Sequence, residues 1–336
     1  GDVGIKEIQK RIPIKRLGKV EEIAELVCWL ASDSNSYLSG QNIVIDGSID
    51  LSAGNENLVL DGNTVINGNI TFNNALINSG LFTWNSGTFG GTGSFNNAAG
   101  STFTINGDNS FNMGFTNAGT LTKSSGTGSS IFDIAFTNTG TVNANSGTLQ
   151  FANGYTQTAG VTNLGGGNLT DLSGTSNFNG GILKGTGTYN VGNLNINSGA
   201  TFAPGNSPGT FNVTGNLLLA GTTLIEIQGL SRGSQYDFIN VQGDVVLGGT
   251  LNVTTTFYSG MSLGNTFDII QAGGGITGSF ANSVFNSGIN YGNYLTATPT
   301  YRLVSFFDSN DDAEPLIGLP QITIGPGLLL PFESET

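Results

Sequence analysis

The sequence predicts a mostly β protein, a β-solenoid with a small N-terminal helix-plus-strand cap. Three observations predict this fold. Glycine occupies 53 of 336 positions, whereas only 10 residues are basic and 23 acidic. From about residue 57, short apolar stretches alternate with Asn-Gly, Ser-Gly and Asn-Asn breaks, which favour turns. Sequence motifs also recur about every 20 residues, a period typical of a solenoid coil built from three short strands.

The composition excludes several kinds of chemistry. The chain contains no His, so a Ser-His-Asp triad, a His metal ligand and an imidazole proton shuttle are impossible. The single cysteine, Cys28, excludes an intramolecular disulfide and a cysteine-based zinc site within one chain. We therefore expect that the protein is not an enzyme and has no catalytic or cofactor-binding residues.

Charge and hydropathy argue against nucleic acid as a partner and against a helix that spans a membrane. The net charge is −13, which argues against nucleic acid because few side chains could neutralise phosphates. No run of 18 apolar residues exists, so the sequence predicts no membrane-spanning helix.

Composition divides the chain into three segments. Six of the ten basic residues lie within residues 1–50, whereas most of the glycine lies beyond them. Such a change in composition marks a module boundary. We predict a helix-and-strand module over residues 1–50, a β-solenoid over 51–307, and an acidic linker with an apolar tail over 308–336.

The N-terminal module has a clear pattern. Residues 20–32 place Ile23, Leu26 and Leu30 on one face, which predicts an amphipathic helix. Residues 41–47 then predict a short buried strand that ends at a turn. Because an uncapped solenoid exposes unpaired strand edges, we expect this module to cap the first coil.

The same module contains a spaced set of residues over roughly positions 8–48, namely Pro13, Gly18, Glu22-Ile23-Ala24, Ser32-Asp33 and Asp46-Gly47. With this set, the module resembles the C-terminal segment of short-chain dehydrogenases/reductases. That family binds a dinucleotide through a glycine-rich loop at a helix N-terminus and uses a Tyr-x-x-x-Lys pair. This sequence contains neither element, so the resemblance does not imply a cofactor site here.

Short strands and degenerate repeats fill the second segment. The apolar stretches include Leu58–Leu60, Thr102–Ile105 and Thr148–Phe151. Residues 115–121 (FTNAGTL) recur as residues 136–142 (FTNTGTV), an offset of 21. Stacked coils would bury their apolar faces and align Asn and Thr into ladders along the axis. A β-sandwich is the alternative, but sandwiches rarely use so much Gly and Asn.

An ordered run of motifs occupies the later part of the second segment, at residues 202–210 (FAPGNSPGT), 224–229 (LIEIQG), 247–251 (LGGTL) and 267–270 (FDII). With this run, residues 80–285 resemble the passenger region of bacterial autotransporters and related adhesin-like surface proteins. The resemblance implies a right-handed parallel β-helix that is located outside the cell or on its surface.

The third segment contains two candidate sites. Asp308, Asp311, Asp312 and Glu314 are carboxylates of the kind that calcium prefers, so calcium is the one cofactor we consider. The apolar tail that follows is interrupted by prolines, and within it Gln321, Ile322, Thr323 and Ile324 predict a strand. Such a strand could pair with a sheet edge of a second copy.

Three functions remain open. We favour an extracellular structural or adhesive protein that self-associates into a homo-oligomer or fibre. The alternative is a carbohydrate-active or carbohydrate-binding β-helix protein, because dispersed acids could converge on one face when coils stack. Between residues 57 and 300 these acids are Asp61, Asp108, Asp133, Asp171, Glu226, Asp237, Asp244 and Asp268. A third is a surface that binds glycan or ice through threonine ladders such as residues 254–256.

Overall fold

The computed structural model describes residues 43–45, 49–50, 58–256, 260, 262, 264–285 and 289–307. These residues form strands and turns, without a helix among them. The described residues up to Ile182, together with Tyr189–Val191, form a first unit, and Leu183–Thr188 with the described residues from Gly192 onwards form a second unit. The fold is a parallel β-solenoid, which confirms the fold class.

The first unit consists of short strands with nearly regular spacing. In chain order they are β1 (Ile43–Ile45), β2 (Ile49–Asp50), β3 (Leu58–Leu60), β4 (Asn63–Ile66), β5 (Ile70–Thr71), β6 (Ala75–Asn78), β7 (Leu81–Trp84), β8 (Thr88–Gly90), β9 (Ser94–Asn97), β10 (Thr102–Ile105), β11 (Ser110–Phe111), β12 (Gly114–Asn117), β13 (Thr120–Lys123), β14 (Ser129–Phe132), β15 (Phe136–Asn138), β16 (Thr141–Ala144), β17 (Thr148–Phe151), β18 (Tyr155–Gln157), β19 (Val161–Gly165), β20 (Asn168–Asp171) and β21 (Thr175–Phe178).

Each of the strands β1 to β18 pairs in parallel with the strand three places later, so three consecutive strands make one coil with three faces. We number the faces so that β10 lies on the first, β11 on the second and β12 on the third. Asn117 of β12 aligns with Asn138 of β15, which confirms the offset of 21 residues. The first coil includes β1, whose Ile43 aligns with Thr64 of β4.

Alternation of side chains builds the core of this unit. In β10, Phe103 and Ile105 are buried, whereas Thr102 and Thr104 are half-buried on the outer side. Inward aromatic rings stack from coil to coil: on the third face, Phe115 lies 5.2 Å from Phe95 and 5.3 Å from Phe136, measured between ring centroids. The second face carries a similar stack through Phe89, Phe111, Phe132 and Phe151. The aromatic residues of these stacks are therefore core residues.

A ladder of buried amides runs beside the aromatic stacks. The side-chain Nδ2 of Asn78 donates to Oδ1 of Asn97, and Asn97, Asn117 and Asn138 each repeat the contact with the amide of the next coil, up to Gln157. The amides also donate to backbone carbonyls, so the polar groups are satisfied inside the core. This confirms the predicted ladders along the axis.

Turns that stack closely explain part of the glycine content. Gly160 has φ of +74°, and a Cβ atom placed on it would lie 1.9 Å from the carbonyl oxygen of Gly140 in the preceding coil. No side chain fits there, and the left-handed backbone disfavours other residues as well.

The second unit has longer coils. The strand β22 (Gly181–Asn190) has residues in both units, and it is followed by β23 (Asn193–Ile196), β24 (Ala200–Pro204), β25 (Thr210–Val213), β26 (Asn216–Leu219), β27 (Thr222–Ile227), β28 (Phe238–Val241), β29 (Val245–Leu247), β30 (Thr250–Thr255), β31 (Thr266–Ala272), β32 (Ile276–Gly278), β33 (Asn282–Phe285), β34 (Ile289–Leu295) and β35 (Thr300–Phe307).

Parallel pairing with the strand three places later continues from β23 to β33. Thr222 aligns with Thr250, and Thr250 with Asn282, so these coils are longer than those of the first unit. The direction changes at the C-terminal side, where β35 pairs antiparallel with both β31 and β34. Arg302 of β35 forms an ion pair with Asp268 of β31.

Candidate functional site: a cavity in the second unit

The loop between β24 and β25 has an unusual backbone. It covers residues 205–209, with the sequence GNSPG between two strands. Gly205 has φ of +91° and Ser207 has φ of +70°, and within the described part of the chain Ser207 is the only non-glycine residue with a positive φ. Non-glycine residues in this conformation carry strain, which persists where surrounding contacts hold the backbone in place.

Asp237 supplies those contacts. Its side chain is 1% exposed, and its Oδ1 accepts the backbone N–H of Gly209 at 2.8 Å. Its Oδ2 accepts the N–H of Glu226 in β27, also at 2.8 Å. One buried carboxyl group therefore ties the loop to the neighbouring strand. Gly205 lies against this carboxyl group, since a Cβ atom there would be 2.3 Å from Oδ1 of Asp237.

The loop forms one wall of a cavity of about 350 Å³. The cavity is lined by Lys184, Ala203, Pro204, Gly205, Asn206, Ser207, Leu224, Glu226 and Asp237. These residues come from β22, β24, β27, the loop after β24 and the residue before β28, all within the second unit.

The two acids of the cavity have different environments. Burial raises the pKa of Asp237 from its ordinary value of 3.8 to about 7, and the charge of Glu226 adds to this effect. Glu226 is half-buried, and its Oε2 accepts the hydroxyl hydrogen of Ser207 at 2.7 Å. Because both oxygens of Asp237 already accept backbone N–H groups, its position suits bracing of the loop rather than transfer of a proton to a ligand.

The sequence and the structure agree on this site only in part. The structure brings together Glu226 and Asp237, which sequence reasoning named among dispersed acids, but it adds Lys184 and Ser207, which that reasoning missed. The signal that could have found Ser207 is the Pro-Gly-Asn-Ser-Pro-Gly string, since two prolines and two glycines around one serine indicate a constrained loop.

The predicted tail sites lie outside the described residues. This holds for Asp308, Asp311, Asp312 and Glu314, proposed for calcium, and for Gln321, Ile322, Thr323 and Ile324, proposed for self-association. The predicted N-terminal helix at residues 20–32 also lies outside them. Within the described ranges, no group of three or more acidic, Cys or His side chains could hold a metal ion. Nor does that part of the chain contain a helix with the length and apolarity to cross a membrane.

The N-terminal residues are similar to known proteins. A family model described as enoyl-(acyl carrier protein) reductase matches residues 2–49. The 3-oxoacyl-[acyl-carrier-protein] reductase FabG of Thermotoga maritima is 54% identical over 39 residues, which are 12% of this chain and 16% of that protein. Glucose 1-dehydrogenase of Gluconobacter oxydans is 36% identical over 52 residues, or 16% of this chain and 20% of that protein.

These similarities confirm the resemblance to short-chain dehydrogenases/reductases and limit its extent. The chain spans about a fifth or less of the length of the curated relatives it matches. The strand β1 lies within the matched residues, and it pairs in parallel with β4 of the solenoid. Residues 43–45 of the similar segment therefore pair with a strand of the solenoid.

Proposed function

We propose that the protein is an extracellular structural or adhesive β-solenoid that self-associates. One observation carries the proposal: the outer side of the third face in the first unit is a row of uncharged polar side chains. Asn96, Thr116, Thr137, Thr156 and Asn177 align from coil to coil in β9, β12, β15, β18 and β21. A repeated surface of this kind offers many identical weak hydrogen-bonding contacts, which suits adhesion to an extended partner.

The first face repeats this arrangement. Thr83, Thr104, Thr122 and Asn143 align on the outer side of β7, β10, β13 and β16. All four are half-buried, and Nδ2 of Asn143 donates to the hydroxyl of Thr122 at 3.2 Å. These rows support the adhesive part of the proposal. The alignment of Thr116 with Thr137 follows the predicted repeat, and the row on the first face adds threonines beyond the tract at residues 254–256.

The N-terminal segment acts as a cap in this proposal. The parallel pairing of β1 with β4 supports it, because residues 1–42 then precede the first coil. Removal of residues 1–50 should expose the edge of the next coil and cause aggregation. A truncated protein that stayed as soluble and monodisperse as the full chain, judged by light scattering, would contradict the cap.

In this proposal, the C-terminal tail is the segment through which the protein self-associates. Among the described residues, β33 pairs along one edge only, to β30, and Val284 on this strand is 43% exposed. An edge strand with exposed apolar residues is a template for strand addition. In this proposal the strand at Gln321–Ile324 of one copy pairs with this edge of another.

Sedimentation velocity and electron microscopy test the proposal. The full chain should form oligomers or fibres, and a chain without residues 316–336 should not. An Ile322→Lys/Ile324→Lys double variant, which keeps the full length, should behave like the truncation. Equal assembly of all three proteins would overturn the self-association.

The location of the protein is tested separately. Protease added to intact source cells should cleave the protein, and complete protection would exclude surface display.

A further inference from the structure

The cavity of the second unit supports a second proposal, which does not depend on the self-association proposed above. We propose that the cavity lined by Lys184, Ser207, Leu224 and Glu226 binds one uncharged sugar residue of a polysaccharide. Its volume of about 350 Å³ lies at the lower end of the range for small-ligand pockets, about 300–1,000 Å³, which favours a single ring.

The cavity is formed before any ligand arrives. Asp237 ties the loop at residues 205–209 to β27 through the N–H groups of Gly209 and Glu226. On the other side, the backbones of Gly205 and Gly185 exchange two hydrogen bonds of 2.7 and 3.1 Å. These contacts hold Ser207 in its strained conformation, with its hydroxyl on Glu226. A preformed site loses less conformational entropy when a ligand binds.

The charges at the cavity favour a neutral ligand. Lys184 is exposed and forms no ion pair with any described residue, and Glu226 supplies one opposite charge. The buried carboxyl group of Asp237, whose pKa is about 7, adds only part of a negative charge at neutral pH. A phosphate therefore gains little net attraction, and the charge of Lys184 opposes a metal ion. Lys184 and Glu226 both form strong, charge-assisted hydrogen bonds with hydroxyl groups, of which a sugar ring has several.

The apolar part of the lining completes the match. Leu224 is half-buried, Pro204 is buried, and Ala203 lies beside them in β24. A sugar ring presents aliphatic C–H groups on its faces and hydroxyl groups at its edge, so one ring can contact both kinds of wall. Within the described part of the chain, no aromatic residue lines the cavity. We therefore expect weak binding to each ring, strengthened only when many sites meet one polysaccharide.

Saturation-transfer-difference NMR on the full chain tests the proposal. The probes are glucose and N-acetylglucosamine as neutral sugars, glucuronate as an anionic sugar and glycine betaine as a zwitterion. A neutral sugar should receive saturation, and its affinity should fall about tenfold in Glu226→Gln and in Lys184→Met, as expected when a charge-assisted hydrogen bond is lost.

The controls separate this result from unfolding. Asp133→Asn changes an exposed acid of the first unit, whose partner is Asn153, and should bind like the wild type. Each variant must also retain the wild-type circular dichroism spectrum. If Glu226→Gln fails to fold, Lys184→Met alone tests the loss of affinity. Absence of transfer to both neutral sugars overturns the proposal. So does preferred binding of glucuronate or betaine, or equal affinity in folded cavity variants.

Discussion

The side-chain amide of Asn97 donates a 2.8 Å hydrogen bond to the side-chain oxygen of Asn117, one coil further along the first unit. Both residues are buried, with exposures of 0% and 1%. Buried amides are costly without partners, so each coil of the ladder depends on its neighbours. The same polar residue type that marks turns on the surface thus links the coils in the interior.

Replacement of Asn117 by Ala should destabilise the first unit. The substitution removes the acceptor for Asn97 and the donors to Asn138 and to the carbonyl of Thr141. Leaving such buried groups unpaired costs about 1–3 kcal/mol in free energy of unfolding. Denaturant titration followed by circular dichroism measures this cost.

A matched control is available in an exposed ladder. Asn106 donates to Asn85 at 2.9 Å on the surface, where water can replace the contact. Asn106→Ala should change the free energy of unfolding by less than about 0.5 kcal/mol. Equal effects of the two substitutions would show that the buried ladder contributes no more to the free energy of unfolding than the exposed one.

Replacement of Phe115 by Ala should be more costly still. Phe115 is 5% exposed and stacks between Phe95 and Phe136. Phe-to-Ala substitutions in cores cost about 3–5 kcal/mol. Thermal and denaturant unfolding should both report the loss, whereas Leu81→Ala, at a side chain that is 54% exposed, should be nearly neutral. A loss below about 1 kcal/mol for Phe115→Ala would contradict a tightly packed stack.

The ion pair of Lys123 and Asp108 should contribute to stability against acid. Lys123 is fully buried, and its Nζ donates to Asp108 at 2.9 Å, to the hydroxyl of Ser130 and to the carbonyl of Gly107. The hydrogen bond from Lys123 lowers the pKa of Asp108 below its ordinary value of 3.8. The folded state therefore binds the proton less readily, so this stabilisation is present above about pH 3.8 and is lost as the pH falls through the folded pKa.

Denaturant titration from about pH 5 down to about pH 2 measures this effect. Asp108→Asn should lose less stability than the wild type over this range, and Asp133→Asn, an exposed acid with an Asn partner, serves as the control. Because the Asp108 side chain is 44% exposed, we expect a small difference. Identical acid dependence of wild type and Asp108→Asn would refute the assignment.

Asp237 should produce the opposite pH dependence. Its pKa is raised from 3.8 to about 7 by burial, so between these values the folded state binds more protons than the unfolded state. Stability therefore falls as the pH rises from about 4 to about 7, by up to about 4 kcal/mol. Asp237→Asn should remove this slope.

Among the described residues, Glu226 and Lys184 are the other ionisable groups that line the cavity. Glu226→Gln and Lys184→Met keep Asp237 and should therefore retain most of the fall between about pH 4 and about pH 7. If the free energy of unfolding of wild type and of Asp237→Asn changed equally with pH in that range, burial of this carboxyl group would have no energetic consequence.

Much of the fold could be predicted because the solenoid repeats a local pattern. The strands Leu58–Leu60, Thr102–Ile105 and Thr148–Phe151 have the predicted bounds, since alternation and turn residues determine them locally. The longer coils of the second unit and its antiparallel end were not predicted, because strand direction there depends on which edge is free and not on any local motif. The predicted division at residue 50 stays a prediction.

The candidate site depended on contacts that no local pattern encodes. Lys184, Ser207, Glu226 and Asp237 are spread over more than 50 residues, and their proximity follows from the number of residues in each coil of the second unit. Lys123 gives a second example: its position in an alternating strand indicates burial, but its three acceptors come from Gly107, Asp108 and Ser130 on neighbouring turns and strands.

By itself, the sequence determined the class of fold, its period and the excluded chemistry, because alternation, turn residues and the absence of His are local properties of the chain. Only the tertiary structure decided which of the aligned Asn and Thr residues are buried, how far their rows extend beyond the recognised repeat, and which charged residues share a cavity. The physical reason is that coil length sets the register between strands about 20 to 30 residues apart, and register decides which side chains meet.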